Sequence, residues 1–149
     1  MLKQKIYYFA YGSNLSHVQM HRRCSHAKYV GKAYIKNYRV ITTGFSSRWR
    51  GGVATIIRAR DMIVWGVVYE LDAHCLLRLD GFEGVRYKLY KRKVITCYSQ
   101  NGKKRQVLTY IREPKKIRHS SKRYKRIILK GAHFYGLPKG YIRKLASEL

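Results

Sequence analysis

Apolar residues along this chain fall mostly in short alternating or aromatic-rich runs, and only a few segments carry a helical spacing. Ile6 to Tyr11 reads as a strand. It is followed by a short helix from Ser16 to Cys24, for which Asn14 or Ser16 could be the N-cap. Ala27 to Tyr34, Tyr38 to Thr43, Val53 to Ile57 and Ile63 to Glu70 are predicted strands, because β-branched and aromatic residues pack well on a pleated surface. Between two of them, Thr43 to Gly52 is a glycine-containing loop, and Arg60-Asp61-Met62 reads as a turn. Asp72 can cap a helix from Ala73 to Leu79, with Leu76 and Leu79 on one face. Strands Tyr90 to Tyr98 and Gln106 to Ile111 flank Ser99-Gln100-Asn101-Gly102, where Asn-Gly signals a tight hairpin. Tyr124 to Phe134 and Lys139 to Leu145 read as helix or turn, broken by Gly136 and Pro138. Short strands without regularly interposed helices predict an α+β fold on a mixed, barrel-like β-sheet with a few flanking helices.

Composition narrows this picture. A length of 149 residues with 46% hydrophobic content suits one domain, residues 1–149, with a core large enough to hold a pocket. No run approaches a membrane span or a signal-peptide core, so a soluble, cytoplasmic protein with no membrane partner is expected. Cys24, Cys75 and Cys97 are odd in number and lack a paired short spacing, which argues for reduced thiols and against a disulfide framework or a four-cysteine zinc site. The charge is extreme, with 33 Lys+Arg against 7 Asp+Glu and a net of +26. Such a field attracts polyanions in a salt-dependent way, although the cations are interleaved with apolar positions as on solvated faces of folded elements. Non-specific polyanion binding and a homodimer are therefore open as partner readings.

Candidate chemistry is sparse. The dinucleotide, Walker, serine-hydrolase and zincin motifs are all missing, which removes the sequence support for nucleotide cofactors and serine hydrolysis. His17, His21 and Cys24 share a helical face but have no fourth ligand nearby, so an ordinary helix face is the better reading than a metal site. Ser13, after Gly12 in a strand-to-helix loop, fits ligand binding or capping better than nucleophilic attack. Among the carboxylates, Asp61 falls in a turn, Asp72 caps, Glu70 ends a strand, Glu113 precedes Pro114 and Glu148 is terminal, which leaves Asp80 and Glu83. Glu83 lies in Gly81-Phe82-Glu83-Gly84, where glycines permit a bend and Phe82 could shield a general base from water. A surface glutamate paired with Arg86 or Lys88 is the competing reading.

Tyr8-Phe9-Ala10-Tyr11-Gly12-Ser13-Asn14-Leu15, and Leu79-Asp80 followed by Glu83-Gly84-Val85 and Tyr90, resemble the signature and catalytic segments of the gamma-glutamylcyclotransferases. Further stretches of the resemblance are Trp49 to Ile56, Val64 to Tyr69, Tyr124 to Ile128, Gly131-Ala132 and Gly136-Leu137-Pro138, so that it covers roughly Ile6 to Leu145. It implies intramolecular acyl transfer, in which the α-amine of a gamma-glutamyl amino acid attacks its own γ-carbonyl. Closure gives 5-oxoproline and releases the amino acid, with no metal or organic cofactor. The resemblance makes Glu83 the general base. It places Tyr8, Phe9, Ala10, Tyr11, Gly12 and Ser13 in the substrate loop, with Tyr110 and Tyr124 as further contacts. Backbone N–H groups around Gly12 and Ser13 suit a carboxylate or a developing oxyanion. Relatives of the fold act on gamma-glutamyl amines, gamma-glutamyl antibiotic precursors or glutathione. The rival from another class is an RNA-binding protein on a retired cyclotransferase fold, favoured by the charge and the 14 tyrosines.

Overall fold

The computed structural model describes residues 5–149. Five strands close into a barrel: β1 (Ile6–Ala10), β2 (Lys28–Ser46), β3 (Gly51–Leu71), β4 (Lys91–Ser99) and β5 (Lys104–Ile111), in the order β1-β3-β2-β4-β5. The neighbours are antiparallel except for the closing pair, where β1 lies parallel to β5 through Tyr8 and Leu108. Helices α1 (His17–Arg23), α2 (Ala73–Glu83), α3 (Lys122–Phe134) and α4 (Lys139–Glu148) flank it. The expected mixed barrel with a few helices is the observed architecture.

Three elements differ from the sequence reading. The four central runs merge into two long strands, β2 and β3, paired along almost their whole length. At the expected turn around Asp61 the ladder is interrupted, since Lys36 pairs with Ile63 and Tyr38 with Arg58, leaving Ala59 to Met62 opposite Asn37 alone. Asp61 and Asn37, both at positive φ, face each other there, and the Asp61 N–H donates to the Asn37 Oδ1 at 3.0 Å. Residues tolerant of left-handed backbone make a local excursion there, and antiparallel pairing resumes on either side of it. Helix α2 also runs past Leu79 to Glu83, so Gly81 is helical and only Gly84, at φ 65°, ends the element. Its start agrees with the sequence, since Asp72 Oδ1 accepts from the Cys75 N–H at 2.7 Å. Ser16 and Ser121 cap α1 and α3 in the same way.

The cysteine expectation fails for two of three. Cys24, ending α1, and Cys75, in the first turn of α2, form a disulfide with Cα atoms 5.5 Å apart, within the usual range. Cys97 is free and buried. Fifty-one residues separate the pair, a spacing that carries no short-motif signal. Cysteine content thus gives no support for a reducing compartment. No helix among the described residues is long and apolar enough to cross a membrane.

The core joins both layers: Phe9, Ile35, Val64 and Val67 from the barrel meet Leu15, Met20, Leu79, Ile128 and Leu145, all essentially fully buried. Burial of each such large side chain contributes roughly 1.5–3 kcal/mol. One glycine sets how closely a helix approaches the future site. A Cβ on Gly131 of α3 would lie 2.3 Å from the Leu15 carbonyl oxygen, so α3 rests directly on the 3₁₀ turn Ser13–Leu15 that follows β1.

Candidate active site

The chain leaves β1 at Ala10 and turns at once. Leu15 and Ser16 N–H groups close on the Gly12 and Ser13 carbonyls at 2.9 and 3.0 Å, and the first amides of such a turn have no partner within it. These amides border a cleft lined by Tyr8, Tyr11, Gly12, Ser13, Asn14, Ala54, Glu83, Tyr90, Tyr110 and Tyr124, with about 300 Å³ of empty space including its mouth. A Cβ on Gly12 would meet Ala54 Cβ and the Tyr124 hydroxyl at 3.5 and 3.8 Å, ordinary contact distances, and a longer side chain would extend toward these cleft-lining groups.

Glu83 reaches this cleft from the last residue of α2. Asn14 Nδ2 donates to its Oε1 at 3.2 Å, and Arg23 Nη1 lies 3.7 Å from the same oxygen. Asn14 is fully committed: its Nδ2 also donates to the Tyr8 hydroxyl at 2.8 Å, and its Oδ1 accepts from Gln19 Nε2 and Arg23 Nη1, each at 3.1 Å. The expected alternative partners, Arg86 and Lys88, are not the ones used. Burial pushes the Glu83 carboxyl up to about 6, against the opposing pull of Arg23, the Asn14 hydrogen bond and Arg48. Burial also lowers the Arg23 guanidinium from its ordinary range, while Glu83 opposes the shift. Desolvation therefore outweighs pairing at both partners.

Asp80, one turn earlier, has a different setting. Its carboxylate accepts from the Tyr110 hydroxyl at 2.6 Å and pairs with Arg92. Burial works to raise it, but the Arg92 and Tyr110 hydrogen bonds win and hold it below the usual carboxylate value. One carboxylate is thus ionised and tied to the barrel wall, and the other is poised to exchange a proton near neutrality.

The tyrosines form a rigid wall. Tyr124 OH accepts from the Ala54 N–H at 2.9 Å, and Tyr90 OH donates to the Ala54 carbonyl at 2.6 Å. Tyr11 OH donates to the Tyr110 carbonyl at 2.6 Å. Burial, reinforced by the charge of Glu83, raises Tyr8, Tyr11 and Tyr90 far above the ordinary phenol value; Tyr124 is raised likewise, although its bond to Ala54 opposes the shift. All four are neutral hydroxyls across the physiological range.

Of the residues singled out in the sequence, Tyr8, Tyr11, Gly12, Ser13, Glu83, Tyr110 and Tyr124 meet at the cleft. Phe9 and Ala10 are wholly buried in the core and do not line it. Phe82 does not shield Glu83: it is 39% exposed, and Arg23 sits over its ring at 4.8 Å. The suggested metal face has other occupations, with His17 stacked on Phe134 at 3.7 Å and Cys24 bonded to Cys75. Arg23 was the main omission. Its only local signal is its position three residues after buried Met20, on the inward face of α1.

Residues 63–145 match the AIG2-like family. The chain is 34% identical over 144 residues to the mouse gamma-glutamylcyclotransferase, covering 94% of this chain and 77% of that protein. The human gamma-glutamylcyclotransferase is 33% identical over 149 residues, covering 97% and 79%. This chain belongs to the gamma-glutamylcyclotransferase family. The solved structure of a gamma-glutamyl cyclotransferase superposes with a TM-score of 0.93 at 31% identity, covering 98% of this chain and 89% of that one. A cyclotransferase fold therefore holds the cleft, and the loop after β1 and the end of α2 bring Gly12, Ser13 and Glu83 to its lining.

Proposed function

We propose that this protein is a gamma-glutamylcyclotransferase that converts a gamma-glutamyl amino acid to 5-oxoproline and a free amino acid, with Glu83 as general base. The observation that carries the reading is a largely desolvated carboxylate, its side chain 15% exposed and raised to about 6, facing the turn after β1 in a chain of this family. The substrate's α-amine and γ-carbonyl belong to one molecule, so the cleft has mainly to fold it into the attacking conformer. Such positioning can supply roughly 7 to 11 kcal/mol. Glu83 takes a proton from the α-amine as nitrogen attacks carbon, and returns it to the departing nitrogen as the amide bond breaks. Gly12 and Ser13 amides stabilise a substrate carboxylate or the negative charge that develops on the γ-oxygen. Tyr8, Tyr11, Tyr90, Tyr110 and Tyr124 exclude water and fix the shape of the cleft. Release of 5-oxoproline from gamma-glutamyl-alanine tests the proposal. Turnover by the parent and its loss in a folded Glu83→Gln variant are expected, and no turnover of any gamma-glutamyl compound would refute it.

The net charge of +26 supports a second, non-specific capacity for polyanions on the outer surface. Neutralising exposed Lys103, Lys104, Lys115 and Lys116 should weaken RNA binding and flatten its salt dependence while leaving the maximal rate of cyclisation unchanged. A fall in that rate in the folded variants would refute the separation of the two.

A further inference from the structure

Next to the tyrosine cleft, a second and larger groove runs between α1, the β2–β3 turn, the end of α2 and α3. The linings of the two cavities have no residue in common. This groove has a cavity volume of about 410 Å³. Arg22, Arg23, Arg48, Arg123 and Lys130 line it, and no carboxylate does. Of these cations only Arg23 forms an ion pair among the described residues.

Their arrangement is ordered by aromatic rings. Arg123 lies over Trp49 at 4.7 Å, and its Nη2 donates to the Arg48 carbonyl at 2.8 Å. Arg48 bridges the Trp49 and Phe82 rings at 5.9 and 5.8 Å, and Arg23 covers Phe82 at 4.8 Å. Stacked guanidiniums lose less freedom when they bind, and their planar forks match the oxygens of a phosphate. Trp49 is only 8% exposed and engaged by arginines, so its ring has little face left for a nucleobase. The groove thus favours compact, dense negative charge over a stacked polymer.

We propose that this groove is a binding site for a small polyphosphate-bearing ligand, seated between Arg48, Arg123 and Lys130 with Arg23 at its floor. The volume suits a small molecule, and several unpaired cations call for more than one anionic group. The groove shares no lining residue with the cleft, but Arg23 and Arg48 also act on Glu83, so a bound anion would be felt at the carboxylate.

Isothermal titration calorimetry with inorganic pyrophosphate, at fixed ionic strength, tests the proposal on the full chain. One saturable site per chain is expected. Replacing exposed Arg48 and Arg123 together (Arg48→Met, Arg123→Met) should weaken it by at least about ten-fold, whereas Lys139→Met with Lys144→Met on α4 should change it by less than about two-fold. The single variant Lys130→Met, checked by circular dichroism, gives a second reading should the double variant misfold, and should also weaken binding. Equal losses in the groove and α4 variants would mark only the general field of a basic protein and overturn the proposal. So would many weak sites with no dominant one, or no binding.

Discussion

Replacing Glu83 by glutamine removes a charge while keeping the shape and one acceptor, so it separates catalysis from stability. General-base assistance is typically worth about 10² to 10⁴ in rate, or roughly 3 to 5.5 kcal/mol, and the folded Glu83→Gln variant should lose that much turnover. Stability should move the other way. A carboxyl raised from 4.5 to about 6 binds its proton more tightly in the folded state. At 1.36 kcal/mol per unit this is about 2 kcal/mol of stability, fully present below pH 4.5 and lost as pH rises through 6. That balance already includes the attraction of Arg23, and a glutamine Oε1 can still accept from Asn14 Nδ2. The variant should therefore melt about 4 to 8 °C above the parent at pH 7.5, with the gap closing near pH 4. In the parent, kcat/KM should fall on the acid side with an apparent pKa near 6, because only the carboxylate accepts a proton. Calorimetric melting at both pH values beside 5-oxoproline release checks all three. Near-parental turnover, or a melting gap that is the same at pH 4 and 7.5, would refute the reasoning.

Gly12→Val should abolish most activity, because the added side chain extends toward Ala54 and Tyr124 in the cleft, whereas Ser13→Ala should cost about 1 kcal/mol of binding or less; equal mild effects in steady-state kinetics would count against the loop. Tyr124→Phe should leave the buried Ala54 N–H without its acceptor and destabilise by about 1–3 kcal/mol in urea unfolding, and an unchanged midpoint would show that the bond contributes nothing. Gly131→Ala should be among the most damaging single-carbon additions, costing at least about 3 kcal/mol, since its Cβ meets the backbone of Leu15 at 2.3 Å and not a yielding side chain. A variant with parental melting temperature would mean that α3 can lift off the turn freely.

What the sequence determined by itself is what depends on near neighbours. Asp72 and Ser16 announce their helices because a cap needs only the amides of the next turn, and Asn101-Gly102 announces its hairpin because the turn is local. Glu83 and the Tyr8 to Asn14 run were legible as chemistry through residue type and spacing, and in combination through resemblance to a family. Tertiary structure decided whatever rests on distant partners. That the runs on either side of Asn37 and Asp61 belong to the same two strands is fixed by cross-strand pairing before and after the interruption, which no local pattern shows. The bond between Cys24 and Cys75 depends on how α1 packs on α2. Asn14 and Glu83 stand 69 positions apart in sequence, and the raised carboxyl exists only because folding buries it beside an arginine from α1 that no motif marks. Proton affinity at such a site is set by desolvation and by the charges brought near it, and neither quantity exists in the chain until it folds.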